Sequence, residues 1–414
     1  MDGGRRPPAR GAHDGAVFIP TREAGLEALH DFVPRAGSAY ARDRNHDLGA
    51  ARENVSGLSP YLRHRLLTER EVLGTVLAHH SPRASEKFVQ EVFWRTYWKG
   101  WLEQNPEVWR RYRHDVDALL AGDLAADHEA AVAGRTGIAA MDAWVHELVE
   151  TGYLHNHTRM WFASIWIFTL GLPWQLGADF FYRHLLDGDA ASNTLSWRWV
   201  AGLQTKGKTY LASAANISRY TDGRFAPEGL ATTARALSED PLPPRAAIDP
   251  DDVGGTIGGR VGLLLHEEDL EAASLLEEHP GLASTLAATA VGADPSGRSP
   301  LGASAAVESF TAGAVADAAA RTVDATGRPA QTLPDALPSS LVDWAASEVL
   351  DTVVTPYAPV GPVAERLAAS RSALAERGID LVTLRRRWDG DTWPHASRGF
   401  FPFRERIPEL VREL

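Results

Sequence analysis

The chain has 414 residues, 42 Lys and Arg against 54 Asp and Glu, a formal net charge of −12, and no cysteine. That length supplies two domains with a core each. The lack of cysteine excludes disulfides, thiolate zinc sites, cysteine-ligated iron–sulfur clusters and a cysteine nucleophile, and fits a reducing cytoplasm, where the chain is expected.

No apolar run reaches membrane-spanning length, and the opening MDGGRRPPARGAHDG lacks the apolar core of a secretion signal. Residues 1–16 read as a disordered, mildly basic tail. The acidic excess falls wholly after residue 225. An acidic second half does not bind nucleic acid by itself. The first half groups Arg110, Arg111, Arg113, Lys206 and Lys208, as a solvated face or as a local basic surface.

From 17 to 225 the pattern is helical. Thr21 caps REAGLEALHDFV, and Ser59-Pro60 opens SPYLRHRLL with Pro in the first turn. Further helices are predicted over 86–103, 137–152, 157–170, 176–186 and 190–201. Ten of the 13 Trp lie in this half. Residues 226–256, rich in Pro, Asp and Gly, read as a linker or a strap across the surface.

From 257 to 414 strands and helices alternate. RVGLLLHEEDL, TLAATAVGA, PAQTLP, DTVVTPYAP and IDLVTLRRRW read as five strands. The helices between them include one that stops at Gly327 and one that stops at Gly378. This alternation predicts a parallel sheet covered on both faces. No G-x-G-x-x-G follows the first strand, so a dinucleotide site there is not supported. HEEDL lacks the second His of a zinc motif, His155 and His157 point apart on a helix, and no metal site is predicted. Arg385–Arg387 reads as a solvated strand end.

Three helical stretches of the first half carry polar groups beside aromatic rings. Glu91, Trp94, Arg95 and Trp98 form one; Asn156, Arg159 and Met160 form another. The third is D-G-D-A-A-S-N-T-L-S-W-R-W at 187–199, where Asp189, Asn193 and Trp197 fall at i, i+4 and i+8 on one face. Each alone fits a Trp-rich helix with internal ion pairs. Together they suggest a polar pocket inside a helical domain.

In these motifs, with G-Y-L-H-N-H-T-R-M-W at 152–161, V-S-G-L-S-P-Y-L at 55–62 and E-V-F-W-R at 91–95, the chain resembles the photolyase/cryptochrome family from about Val17 to Phe225. The resemblance implies an all-helical domain holding one FAD. It places Tyr40, Arg44, Ser56, Leu58 and Ser59 at the phosphates and ribityl chain, with Val55 where the family usually has Thr. Arg95, Arg159, Asp187 and Asp189 fall beside the flavin ring, and Asn193 faces its N5. An amide there resembles photolyases rather than plant (Asp) or animal (Cys) receptors.

Glu91, Trp94, Asn156, Met160 and Trp199 match the pocket for a flipped cyclobutane pyrimidine dimer. The 6–4 photolyases carry His at the positions of Asn156 and Met160. His157 stands where dimer photolyases usually have Arg. Trp197 and Trp174 match the first two tryptophans of the photoreduction chain; the third position is Ala121, with Trp109, Trp161 and Trp166 as substitutes or as core. The 257–414 region resembles the family's α/β antenna domain, there placed before the flavin domain, so the order looks circularly permuted; an unrelated flavodoxin-like module is the alternative.

The expected fold is therefore an all-helical FAD domain followed by a smaller doubly wound parallel-sheet domain. The expected function is light-driven repair of dimers in UV-damaged DNA by an electron from excited reduced FAD. The rivals are a cryptochrome-type photoreceptor signalling to a protein partner, and a flavin enzyme acting on a small molecule. A second, antenna chromophore is left unknown.

Overall fold

The computed structural model describes residues 18–124, 126–248, 256–334 and 338–414. The tail predicted over 1–16 lies outside them, as does 249–255 of the linker.

The first half is helical, and its helices begin and end on local chemistry. Thr21 accepts a hydrogen bond from Ala24 N at 3.2 Å and opens Arg22–Phe32. Gly152, at φ +66°, closes Ala139–Thr151. The long predicted helix is Glu86–Gln104. The one predicted over 157–170 differs: Asn156–Ser164 widens into a π turn over Ile165–Thr169, closed by Leu170 N donating to Ile165 O at 2.9 Å. The helix predicted from 176 starts at Trp174 and runs to His184.

Glu69–His79 and Glu107–Leu120 are helices that aromatic patterning alone does not reveal. The second is densely charged. Its apolar stripe is the narrow series Val108, Tyr112 and Val116, all buried, at i, i+4 and i+8.

Residues 226–248 form a strap without helix or strand. Glu239 pairs with the buried Arg198, Arg111 donates to Asp240 O and Pro241 O, and Ala246 N donates to Gln104 O. Such anchors hold it on the helical half. Arg111 thereby has a structural partner, while Lys206 and Lys208 are exposed.

The second half is a five-stranded parallel sheet: β1 (Val261–His266), β2 (Leu286–Gly292), β3 (Ala330–Thr332), β4 (Thr352–Pro356) and β5 (Asp380–Leu384). The order β3-β2-β1-β4-β5 is that of the first five strands of the 3-2-1-4-5-6 doubly wound sheet, not the 2-1-3-4-5 of flavodoxins. Alternate residues of β1 serve two cores. Val261, Leu263 and Leu265 join the apolar cluster that continues into the helical half, and Leu264 joins a second one with Val353 and Trp344. Among the described residues no helix is long and apolar enough to cross a membrane.

The halves meet through buried charge. Arg65 donates to Asp389 at 2.6 Å and to Asp269 at 3.1 Å. Arg386 grips Asp269 with two bonds, of 2.6 and 2.7 Å. Arg386 is thus no solvated strand end; it is 3% exposed, its countercharge lying more than a hundred residues away. The HEEDL segment is buried throughout. Glu267 pairs with Arg366 at 2.8 Å, and Glu268 with Arg63 at 2.8 Å. These groups fill the ends of β1, beside the strand-order reversal where such sheets take ligands. The cavity beside Leu264, His266 and Arg366 is about 10 Å³.

Candidate flavin site

The Glu86–Gln104 helix organises the site. Glu91, Arg95 and Lys99 recur at i, i+4 and i+8 on one face. Arg95 donates to the Asp187 carbonyl oxygen and to the Asp189 carboxylate. Asp189 also caps the Ala190–Val200 helix, accepting from Ser192 N at 2.7 Å. The D-G-D turn is thus both a helix cap and a pair of buried anions.

Arg159 donates to Asp187 Oδ2 at 2.9 Å. Burial alone would raise both aspartates, but Arg159 and Arg95 outweigh it at Asp187, and Arg95 and Lys99 at Asp189. Both carboxyls are held below their ordinary range. The carbonyl between them, Gly188 O, accepts from Arg63 Nε at 2.6 Å. Arg63 is in turn held by Glu268 of the sheet half.

Among the described residues, the buried acceptors Asp187 Oδ1 and Asn193 Oδ1 have no hydrogen-bond partner. Asn193 Nδ2 donates to Ala178 O at 2.8 Å, and that bond fixes the amide's orientation. Buried acceptors without donors are costly unless a ligand brings the N–H groups. A flavin ring carries such groups on its edge, so the residues present fit FAD.

The segment predicted to hold phosphates is partly joined to this cradle. Ser59 lies near the Asp187 side chain and helps hold its carboxyl down, and Leu58 N is 3.4 Å from Ser56 Oγ. Tyr40 packs edge-on against Phe32 and Phe88. Arg44 instead forms a salt bridge with Glu91, which places it at the predicted dimer pocket. The helix after Ser59 is only Ser59–Arg63, so its dipole adds little.

In that pocket each indole is backed by another ring. Trp94 stacks on Phe400 at 3.6 Å and 11°, and Trp199 lies over Tyr210 at 5.7 Å and 28°. Both indoles stay half-buried; Met160 is half-buried and Asn156 exposed. Burial pushes the Glu91 carboxyl up against the opposing pull of Arg44. His157 stacks on Trp161 at 4.5 Å and donates from Nδ1 to Asn45 O. Burial lowers its pKa, so it brings no cation where dimer photolyases usually carry Arg. Phe400, Tyr210, Arg63 and Glu268 carry no sequence signal for this role. They become visible only when the chain folds back on itself.

Trp197 contacts Trp166 at 6.2 Å, Phe181 at 5.1 Å and Phe162 at 6.3 Å. Gly177, one turn after Trp174, lets the indole lie against the helix. A Cβ there would overlap Trp197 and come within 2.9 Å of Trp166 Cε2. Gly177→Ala is expected to cost about 1–3 kcal/mol by overpacking. A denaturant melt followed by tryptophan fluorescence checks this; an unchanged midpoint would show that the ring has room to shift.

The fold and this site define a helical flavin-binding domain joined to a doubly wound sheet. Residues 88–226 match the family described as FAD binding domain of DNA photolyase. The deoxyribodipyrimidine photo-lyase of Streptomyces griseus is 34% identical over 184 residues, 44% of this chain and 39% of that protein. That of Escherichia coli is 28% identical over 207 residues, 49% of this chain and 43% of that one. A bacterial class III photolyase structure from Agrobacterium tumefaciens is 26% identical with a TM-score of 0.42, over 49% of this chain and 43% of that one.

The chain spans about two fifths of the length of these curated relatives. Within the helical half, residues 88–226 are thus similar to a photolyase-type FAD-binding domain, and FAD is its cofactor.

Proposed function

We propose that this photolyase-type flavoprotein repairs cyclobutane pyrimidine dimers in DNA under light. The observation that carries the reading is Asn193. Its amide nitrogen is committed to Ala178 O, so its free Oδ1 is an acceptor. An acceptor at that position suits a flavin bearing hydrogen at N5, the reduced form that gives electrons. Bound there, FAD would supply the electron on illumination.

The remaining work falls to the chain. Trp94, stacked on Phe400, and Trp199, over Tyr210, offer stacking walls to a pyrimidine dimer swung out of the duplex. Glu91, with its carboxyl pushed up, can hold a proton toward a pyrimidine carbonyl. Met160 adds soft apolar contact, and Asn156 can bond a base edge. Asn156 and Met160, where 6–4 photolyases carry His, favour the cyclobutane lesion. The sheet order suits an antenna-like domain, and the filled end of β1 gives a second chromophore little room there.

The test is an illuminated assay on oligonucleotides bearing a dimer, with photoreduced protein and a dark control. Light-dependent loss of the dimer is expected, with affinity falling as salt rises. No repair by fully reduced, FAD-loaded protein overturns the reading. Asn193→Asp, which removes the donor to Ala178 O, should speed reoxidation of the reduced flavin in air. Unchanged kinetics would remove Asn193 from the argument.

A photoreceptor reading draws on His157, neutral where a DNA-contacting cation is expected. It predicts a protein partner and no dimer repair in the same assay.

A further inference from the structure

We propose that Tyr112 is the third electron carrier of this chain, and that a small thiol-type reductant reaches it through the cleft beside Trp174. The inference rests on the electron-transfer role that the family resemblance implies for Trp197 and Trp174.

The family's third tryptophan position is Ala121, which cannot be oxidised. Ala121 closes the Glu107–Leu120 helix, and Tyr112 lies on that same helix. The Tyr112 ring stacks on Trp174 at 5.8 Å and 29°. Trp109 follows at 5.3 Å from Tyr112, but its Nε1 is tied to Glu365 at 2.7 Å. The Tyr112 hydroxyl is buried and has no hydrogen-bond partner among the described residues. It therefore has no structural bond to lose when the ring is oxidised.

Oxidation of a phenol also requires somewhere for the proton to go. Of the charged groups acting on Tyr112, Asp179 is the strongest. Asp179 sits on the Trp174–His184 helix and keeps a buried, unpartnered Oδ1. Tyr112 and Trp174 both line a cleft of about 1050 Å³. Its other walls include Arg111 and Arg198 and the strap residues up to Asp240. That is ample for a small reductant.

The step balances. Tyr112 gives one electron to the Trp174 radical cation and its phenol proton to the Asp179 carboxylate. The tyrosyl radical then takes one electron from a thiol in the cleft, which loses its proton to solvent and leaves as a thiyl radical, while Asp179 returns the phenol proton to Tyr112.

The experiment uses full-length, FAD-loaded protein under blue light with dithiothreitol. Oxidised-flavin bleaching gives the rate, and electron paramagnetic resonance on frozen samples gives the radical. The native protein should show a tyrosyl signal. Tyr112→Phe should lose that signal and photoreduce more slowly, with flavin content and melting temperature unchanged. A tyrosyl signal that survives in Tyr112→Phe, or a native signal that is indolyl and vanishes only in Trp109→Phe, overturns the proposal. Trp174→Phe separates the layers. If it photoreduces at the native rate, the underlying chain has failed. If it is blocked while Tyr112→Phe behaves as native, only Tyr112 has failed.

Discussion

Arg95→Met protein is expected to purify without flavin colour. Arg95 touches the Asp187 carbonyl oxygen and the Asp189 carboxylate, both sides of one turn. Met fills similar space and brings no charge. Burial, the largest influence on both aspartates, would then be opposed mainly by Arg159 at Asp187 and mainly by Lys99 at Asp189. Stranding a buried carboxylate costs about 3–5 kcal/mol, enough to lower ligand affinity by orders of magnitude. Arg95→Lys keeps the charge but loses the planar fork, so partial flavin retention is expected. The flavin-to-protein absorbance ratio of the purified variants decides it. Full colour in Arg95→Met would mean that Arg159 suffices.

The second large effect concerns the junction of the halves. Asp269→Ala leaves Arg65 short of one partner and Arg386 without its two-bond grip. A loss of about 3–5 kcal/mol is expected, a large part of a typical domain's stability. Denaturant unfolding measures it.

The pairing also has a pH signature. At Asp269 burial is outweighed by Arg386 and Arg65, so its carboxyl lies below the ordinary range; at Glu267 Arg63 and Arg366 prevail likewise. The folded state therefore binds fewer protons than the unfolded one. Stability from these groups is full above the unfolded carboxylate range, about pH 4, and is lost as pH falls through the folded values. Asp269→Asn should flatten that acid limb. An unchanged acid profile would place its origin in other carboxylates.

The cradle was largely legible in the sequence because it is local. Asp187, Asp189, Asn193 and Trp197 lie within one turn and one helix, and Glu91 with Arg95 within another. Strands β1, β2, β4 and β5 were legible because each is a short, largely apolar run between turn residues. Arg386 was not: an Arg beside two others looks solvated until Asp269 is brought to it. Phe400 behind Trp94 was hidden for the same reason, three hundred residues separating the two rings. The π turn after Ser164 depends on hydrogen bonds shifted by one residue, which no residue pattern marks.

The grip of Glu268 on Arg63, and of Arg63 on Gly188 O, bears on how this protein is made. The helical half leaves the ribosome first, with Arg63 and Arg65 already placed to be buried and their countercharges still unsynthesised. Glu267, Glu268 and Asp269 follow some two hundred residues later, Asp389 and Phe400 later still. Contacts of such sequence separation form slowly. The flavin turn is therefore braced only after the last strand has been translated, and cofactor capture is expected to be a post-translational event. A nascent chain stalled before residue 257 should hold FAD weakly, and released full-length protein firmly.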